Sequence, residues 1–160
     1  MITSLKKQAE ALLLAATLFT SAAASADEPG PTGVVRVRSA YPPAETVERI
    51  RQDVAAKGIR FFAAIDQGQI VNEAGIGIGP STLLIFGNPP LGGQFLKANP
   101  DSGLDWPVRL LVRQDPDGTV WAVYTDFGWI ARRYGITDLD PQFAMASAVI
   151  GSITASVAGR

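Results

Sequence analysis

The segment Val108-Arg-Leu-Leu-Val-Arg-Gln-Asp-Pro-Asp-Gly-Thr-Val-Trp-Ala-Val-Tyr-Thr125 decides the fold. Two apolar runs of strand length, residues 108–113 and 119–125, flank the tetrapeptide Asp115-Pro-Asp-Gly118. Proline presets one backbone dihedral of a turn, and glycine permits a positive φ there. We therefore expect the two runs to pair as an antiparallel hairpin, with Arg109 and Arg113 on the face opposite the apolar residues of the first strand.

The remaining sequence predicts strands and helices in alternation. Residues 34–41 alternate apolar and basic residues as a half-buried strand does, and residues 60–65 and 82–86 are further apolar runs. The uninterrupted run 82–86 is typical of a strand buried on both faces or lying at an interface. Helices are predicted from Pro42-Pro43 to Lys57-Gly58 and over 142–157, capped by Asp140-Pro141, with short helices over 67–74, 93–98 and 129–134. This β-α-β-β-β-β-α order with short extra helices favours an α+β fold, in which helices pack on one face of a mainly antiparallel sheet.

Residues 1–26 have the features of a secretory signal peptide. Lys6 and Lys7 precede an apolar stretch over 11–19, and Ala24-Ser-Ala26 forms a cleavage site of the A-x-A type. Cleavage would leave a flexible lead over 27–33 and a single domain over 34–158. We expect a periplasmic or secreted protein without stable membrane insertion after cleavage, since the apolar stretch is too short to span a bilayer.

The composition excludes several classes of chemistry. The 160 residues include neither histidine nor cysteine, which rules out Ser-His-Asp and Cys-His nucleophile systems and zinc sites of the usual ligands. The formal net charge is −1, and no block of basic residues indicates nucleic-acid binding. We expect neither a metal nor a cofactor.

Two glycine-rich stretches do not have the context of phosphate-binding motifs. The stretch Gly75-Ile-Gly-Ile-Gly79 follows a predicted helix and precedes a proline, whereas a dinucleotide fingerprint lies between a strand and a helix. The stretch Gly87-Asn-Pro-Pro-Leu-Gly-Gly93 lacks the Lys-Ser/Thr ending of a phosphate loop. The aspartate pairs of the predicted turns are expected to be solvated turn residues.

Four side chains are candidates for binding a ligand. Asp66 ends an apolar strand and precedes a helix, where a carboxylate either caps backbone amides or acts chemically. Arg109 either faces solvent or binds an anion in a cleft. Asn88 lies in the turn that ends the third strand, and Tyr124 belongs to a late group of aromatic residues that line a pocket, anchor an interface or pack in the core.

The sequence resembles the DUF302 family over most of residues 34–157. The resemblance implies a small α+β domain of exported bacterial proteins, dimeric and without an established reaction, substrate or cofactor. Similar members usually have histidines at the positions of Gln67 and Tyr134, so any imidazole chemistry of theirs is absent from this chain. The matching segments are Phe61-Phe-Ala-Ala-Ile-Asp66, Leu83-Leu-Ile-Phe-Gly-Asn-Pro89, Leu96-Lys-Ala-Asn-Pro100, Gly103-Leu-Asp-Trp-Pro-Val-Arg-Leu-Leu-Val112 and the second strand of the hairpin.

These observations lead to two hypotheses about function. The first is an exported, non-catalytic module that binds a small ligand or a protein partner and forms a homodimer. The alternative is an enzyme that uses carboxylate acid/base chemistry on a small anionic substrate, with Asp66 as the general base and Arg109 holding the substrate. The alternative requires both side chains to face one cavity.

Overall fold

The computed structural model describes residues 30–159, so the predicted signal peptide and the first residues of the lead lie outside the described part. The elements along the chain alternate much as the sequence predicts. They are β1 (Val34–Arg38), α1 (Pro43–Ala56), β2 (Arg60–Asp66), α2 (Gln67–Glu73), β3 (Ser81–Gly87), α3 (Pro89–Ala98), a 3-10 helix (Pro100–Leu104), β4 (Val108–Gln114), β5 (Val120–Thr125), α4 (Phe127–Arg133) and α5 (Asp140–Ala155).

The five strands form one antiparallel sheet in the order β1-β5-β4-β3-β2. The hairpin of β4 and β5 lies at its centre, as predicted, and Gly118 has a φ of +86° in the connecting turn. Because paired residues of neighbouring strands point to the same face, the register places Leu84, Leu110 and Val112 on one face and Arg109 and Arg113 on the other. The predicted placement of both arginines is confirmed.

Helices α1 and α5 cover one face of this sheet and form the core with it. The α1 residues Ile50 and Val54 are fully buried, and so is Ile153 of α5. The chain therefore has an α+β fold built on an antiparallel sheet, as the sequence predicts. Within residues 30–159, none of the helices combines the length and the apolar character that a bilayer span requires.

The other face, which we call the open face, is only partly buried. It presents the apolar side chains of Leu83, Ile85, Leu111 and Val123 near its centre. It also carries arginines on β1 and on β4, among them Arg109 and Arg113. Of the two alternatives for residues 82–86, burial on both faces within the chain is wrong, because Leu84 and Phe86 are buried whereas Leu83 and Ile85 are only partly so. A position at an interface stays a prediction. The uninterrupted apolar run reflects an open face that is itself apolar.

Three helix starts differ from the predictions. Helix α4 begins at Phe127 instead of residue 129. Helix α3 begins at Pro89 instead of residue 93, since proline is compatible with a first helical turn and the Asn88 side chain caps it by accepting a hydrogen bond from Leu91 N. Helix α5 begins at Asp140, whose side chain makes no capping hydrogen bond. The predicted Asp140 cap is wrong, because the helix begins two residues earlier than predicted and places Asp140 inside its first turn.

Candidate functional site

An apolar cavity of about 410 Å³ between the sheet, α3 and α5 has the character of a binding site. We call it the apolar cavity. Phe86 of β3 and Val108 of β4 contribute from the sheet, Leu91 and Phe95 from α3, and Val149 and Ile153 from α5. Small-molecule sites typically have volumes of about 300–1,000 Å³ and mostly apolar walls with a few polar groups. The apolar cavity has this size and this composition.

Glycines allow the wall formed by Trp106 to pack closely. A Cβ on Gly92 would lie 1.9 Å from two atoms of the Trp106 indole, and one on Gly87 would lie 3.2 Å from its Nε1. At Gly92, only a residue without a side chain lets the indole rest against α3, whereas a Cβ at Gly87 would require a small shift of the ring. Behind this wall, Phe95 stacks on Phe143 with ring centroids 4.3 Å apart, which fixes α3 against α5.

The polar groups of the apolar cavity lie at its exposed rim. Lys57, Asn88 and Ser152 line the cavity and are exposed, as is Met145. Lys57 Nζ lies 2.5 Å from Asp53 Oδ2, so its charge is paired along α1. Asn88 Oδ1 accepts the hydrogen bond from Leu91 N at 3.1 Å. The rim can therefore hydrogen-bond a polar end of a ligand, while the interior suits an apolar body.

A second feature is a cluster of charged and polar side chains around Asp105, which we call the Asp105 cluster. The Asp105 side chain is 4% exposed, and Arg109, Arg133 and Tyr134 all donate hydrogen bonds to it. Its oxygens lie 2.6 Å from Arg109 Nη2, 2.9 Å from Arg133 Nη1 and 2.6 Å from Tyr134 Oη. Loss of hydration and the hydrogen bond to Asp105 raise the pKa of Tyr134.

Asp66 and Arg109 do not face one cavity. Asp66 is exposed and caps α2, with its Oδ1 accepting a hydrogen bond from Gln69 N at 2.8 Å. Asp66 pairs with Thr82, which points to the covered face of the sheet, whereas Arg109 pairs with Ile85 on the open face. The two residues therefore lie on opposite faces. Asp66 and Arg109 lie two strands apart, and their positions along the strands differ by three residues. Their backbones are therefore about 14 Å apart. The pairing that the enzyme hypothesis requires is not present.

The two other candidates have different surroundings. Asn88 lies at the rim of the apolar cavity, as described above. Tyr124 does not line it; it pairs with Val35 on the covered face of the sheet and packs against the core. Burial raises the pKa of the Tyr124 hydroxyl, and the nearby Asp126 carboxylate adds to the rise. Of the four candidates, only Asn88 contributes to the apolar cavity, and only Arg109 contributes to the Asp105 cluster.

The positions where similar proteins usually have histidine lie far apart. Gln67 begins α2, and its Oε1 accepts a hydrogen bond from Ser81 Oγ at 3.1 Å. Tyr134 lies beside Asp105, near Arg109 at the other end of the sheet. Gln67 lies at the level of Ser81 in β3 and Arg109 at the level of Ile85, and these two levels are four residue steps, or about 13 Å, apart along the strand. Within residues 30–159, no group of three or more His, Cys, Asp or Glu is arranged to hold a metal ion.

Comparison with known proteins identifies the family. The model of the domain of unknown function DUF302 matches residues 35–155. The chain belongs to the DUF302 family. A crystal structure of an uncharacterized conserved DUF302 protein from Bacillus stearothermophilus has the same fold, with a TM-score of 0.71 and 18% sequence identity. That similarity covers 78% of this chain and 98% of the other.

Three curated relatives of this DUF302 chain are larger proteins. The fluoride-specific ion channel FluC 1 of Brucella suis biovar 1 (strain 1330) is 36% identical over 123 residues, which are 77% of this chain and 48% of that protein. FluC 2 of Brucella melitensis biotype 1 has the same identity over 45% of its length. The chain thus spans less than half of the curated relatives that it matches.

Sequence reasoning missed most residues of the apolar cavity. Trp106, Phe95 and the α5 residues are spread over three elements, and only the tertiary fold brings them together. Two signals were nevertheless present. Helix α5 has no charged residue after Asp140, so even its exposed positions, such as Met145 and Ala148, are uncharged. Helix α3 has two adjacent glycines, and Gly92 makes room for an indole ring.

Proposed function

We propose that this DUF302 domain is a non-catalytic module that binds a small, largely apolar ligand in the apolar cavity. The observation that carries the proposal is the cavity itself: about 410 Å³, lined by aromatic and aliphatic side chains, with its polar groups confined to the rim. An apolar molecule that enters it is removed from water on several sides, and this transfer is favourable by about 25 cal/mol for each Å² of apolar surface buried.

The position of the carboxylates favours binding over catalysis. Asp66 caps a helix, and Asp105 is enclosed by two arginines and a tyrosine, so neither lines the apolar cavity. General acid/base catalysis needs a titratable group within hydrogen-bond reach of the substrate. Among residues 30–159, Lys57 is the only charged side chain that lines the apolar cavity, and it is paired with Asp53. The occurrence of a matching segment within longer relatives also supports a module that is combined with other parts.

The test is a fluorescence titration with N-phenyl-1-naphthylamine, an uncharged apolar probe. Ala148 is an exposed residue of α5 that lines the apolar cavity, whereas Ala155 is exposed on the same helix and does not line it. We expect saturable binding to the protein purified after expression of the full chain. Ala148→Phe should weaken this binding at least tenfold, because its ring occupies the mouth of the cavity.

The matched control is Ala155→Phe, which adds the same ring outside the apolar cavity and should change the affinity less than twofold. Thermal unfolding of both variants reports whether the fold is retained. The proposal is contradicted if probe binding does not saturate. It is also contradicted if both Ala148→Phe and Ala155→Phe bind the probe as tightly as the parent protein does.

We also propose that the chain forms a homodimer through the open face. The support is the apolar centre of that face, with Leu83, Ile85, Leu111 and Val123. A twofold axis along the strands places β1 of one copy over β2 of its partner, so the arginines of β1 avoid each other. Arg109 and Arg113 of the central strand β4 lie near this axis, and each is paired with an aspartate, which offsets its charge. Five strands of about six residues offer on the order of 500 Å² per protomer, which is below the ~800 Å² of a standard interface and predicts a weak dimer.

Light scattering after size-exclusion chromatography over a range of concentrations tests this dimer. Leu111→Lys places a charge at the centre of the open face and should yield a monomer, whereas Ala44→Lys, on the exposed side of α1, should not change the mass. A monomeric parent protein at millimolar concentration would remove the proposal.

We propose, finally, that the chain is exported to the periplasm or secreted, on the support of the signal features in residues 1–26. Expression of the full chain in a Gram-negative host, followed by intact mass measurement of the periplasmic fraction, tests this. A mass that corresponds to a chain starting at Asp27 is expected. A chain that keeps Met1 and stays in the cytoplasmic fraction contradicts export.

A further inference from the structure

We infer that the Asp105 cluster presents Arg109 and Arg133 as a binding site for a small oxyanion, a carboxylate or phosphate group. This site is distinct from the apolar cavity and does not depend on a ligand there. Arg109 is the second residue of β4, so it lies at one end of the open face and not among the apolar residues at its centre. The inference begins with the charge balance: two guanidinium groups share one carboxylate, which leaves one positive charge over.

The guanidinium groups keep most of their donors free for a ligand. Each has five N–H donors, and in the described residues each makes a single hydrogen bond, to Asp105. The side chains of Arg109 and Arg133 are 48% and 42% exposed, whereas that of Asp105 is 4% exposed. The carboxylate is therefore enclosed, and the guanidinium groups are accessible from solvent. A planar group with several parallel donors matches the two oxygens of a carboxylate or phosphate.

Three separate elements hold the arginines in place. Arg109 lies in β4, Arg133 ends α4, and Asp105 follows the 3-10 helix. The Arg133 guanidinium lies 5.4 Å from the centroid of the Trp129 ring, and Tyr134 donates to the same carboxylate. Because the side chains are oriented before a ligand arrives, binding loses less conformational entropy than it would at two free surface arginines.

The geometry also places the ligand. The depression between Asp105, Arg109 and Phe127 has a volume of only about 10 Å³, which leaves room for one water molecule at most. An oxyanion therefore contacts the outer, exposed side of the guanidinium groups and does not replace Asp105. Val108 and Phe127 line both this depression and the apolar cavity, so the two sites are separated by these side chains.

The experiment is an NMR titration that follows the arginine Nε–Hε signals of the protein, purified after expression of the full chain, at constant ionic strength. One arm uses inorganic phosphate, and the other uses acetate. We expect saturable shifts with at least one of the two anions, and the arm that saturates at the lower concentration identifies the preferred group.

Variants separate a site from general surface charge. Arg109→Gln and Arg133→Gln should each raise the apparent Kd at least tenfold, whereas Arg132→Gln, an exposed neighbour on α4, should change it less than twofold. Arg109→Lys keeps the charge but loses the planar fork and should show an intermediate loss; it decides the matter if a glutamine variant fails to fold. Absence of saturation with both anions, or an equal effect of Arg132→Gln, would overturn the inference and leave the cluster as a link between α4 and the sheet.

Discussion

At the scale of single residues, the wall of the apolar cavity depends on the absence of a side chain at Gly92 as much as on the side chains that form it. Gly92 lies within α3, where glycine costs about 1 kcal/mol relative to alanine, so its presence needs a structural reason. The reason is Trp106, whose indole occupies the space of a Cβ. The wall of the apolar cavity thus depends on a pair of residues, one with the smallest and one with the largest side chain.

This pairing predicts opposite effects for two neighbouring substitutions. Gly92→Ala forces the Trp106 ring to move and should lower the free energy of unfolding by about 1–3 kcal/mol. Gly93→Ala, for which no heavy atom lies within 4 Å of the new Cβ, should raise it by about 0.5–1 kcal/mol. Urea denaturation followed by circular dichroism measures both. Equal effects of the two substitutions would show that the indole does not rest on Gly92.

At the scale of elements, the Asp105 cluster connects α4 to the beginning of β4. Its hydrogen bonds join the end of α4 to Asp105, which lies in the turn that leads directly into β4, and join Asp105 to Arg109 of that strand. Hydrogen bonds to charged groups each contribute about 1.5–3 kcal/mol when buried, and less here because both arginines are about half exposed.

Removal of this carboxylate should therefore loosen α4 locally. We expect Asp105→Ala to lower the free energy of unfolding by about 1–3 kcal/mol and to speed hydrogen exchange of the α4 amides. Asp101→Ala removes an exposed carboxylate from the adjacent 3-10 helix and is the matched control, with an expected change below about 0.5 kcal/mol. Unchanged exchange in α4 would argue against the connection.

The elements also show what local sequence determines here. The central hairpin, the strand–helix order and the faces of Arg109 and Arg113 were predictable, because turn residues and apolar alternation are local signals. The start of α3 was not, since Pro89-Pro90 is compatible with both a turn and a first helical turn, and the Asn88 cap decides between them. The apolar cavity and the partners of Asp105 were not predictable, because residues far apart in sequence form them.

At the scale of the whole molecule, two partly buried tyrosines link stability to alkaline pH. Burial raises the pKa of Tyr124, and loss of hydration together with Asp105 raises the pKa of Tyr134. In the unfolded chain both hydroxyls titrate near pH 10. Above about that pH, the unfolded state releases protons that the folded state retains, so the free energy of unfolding falls as pH rises; below it, these groups have no effect.

The double variant Tyr124→Phe, Tyr134→Phe should therefore reduce this alkaline slope. The comparison is the free energy of unfolding of the parent protein and the variant from pH 8 to about pH 11, measured by urea denaturation. The two curves should differ by a constant below about pH 10 and converge or cross above it. Curves that stay parallel through the alkaline range would contradict the direction of both pKa shifts.

The whole molecule is thus an antiparallel sheet with helices on one face, in which the space between sheet, α3 and α5 is left open and apolar. The most direct test of its role as a ligand site is a map of backbone amide shifts upon titration with N-phenyl-1-naphthylamine. We predict saturable shifts concentrated at residues of the cavity wall, such as Gly92, Phe95 and Ile153, with little change on the open face. Saturable shifts confined to the open face, or no saturable shifts at all, would contradict the account.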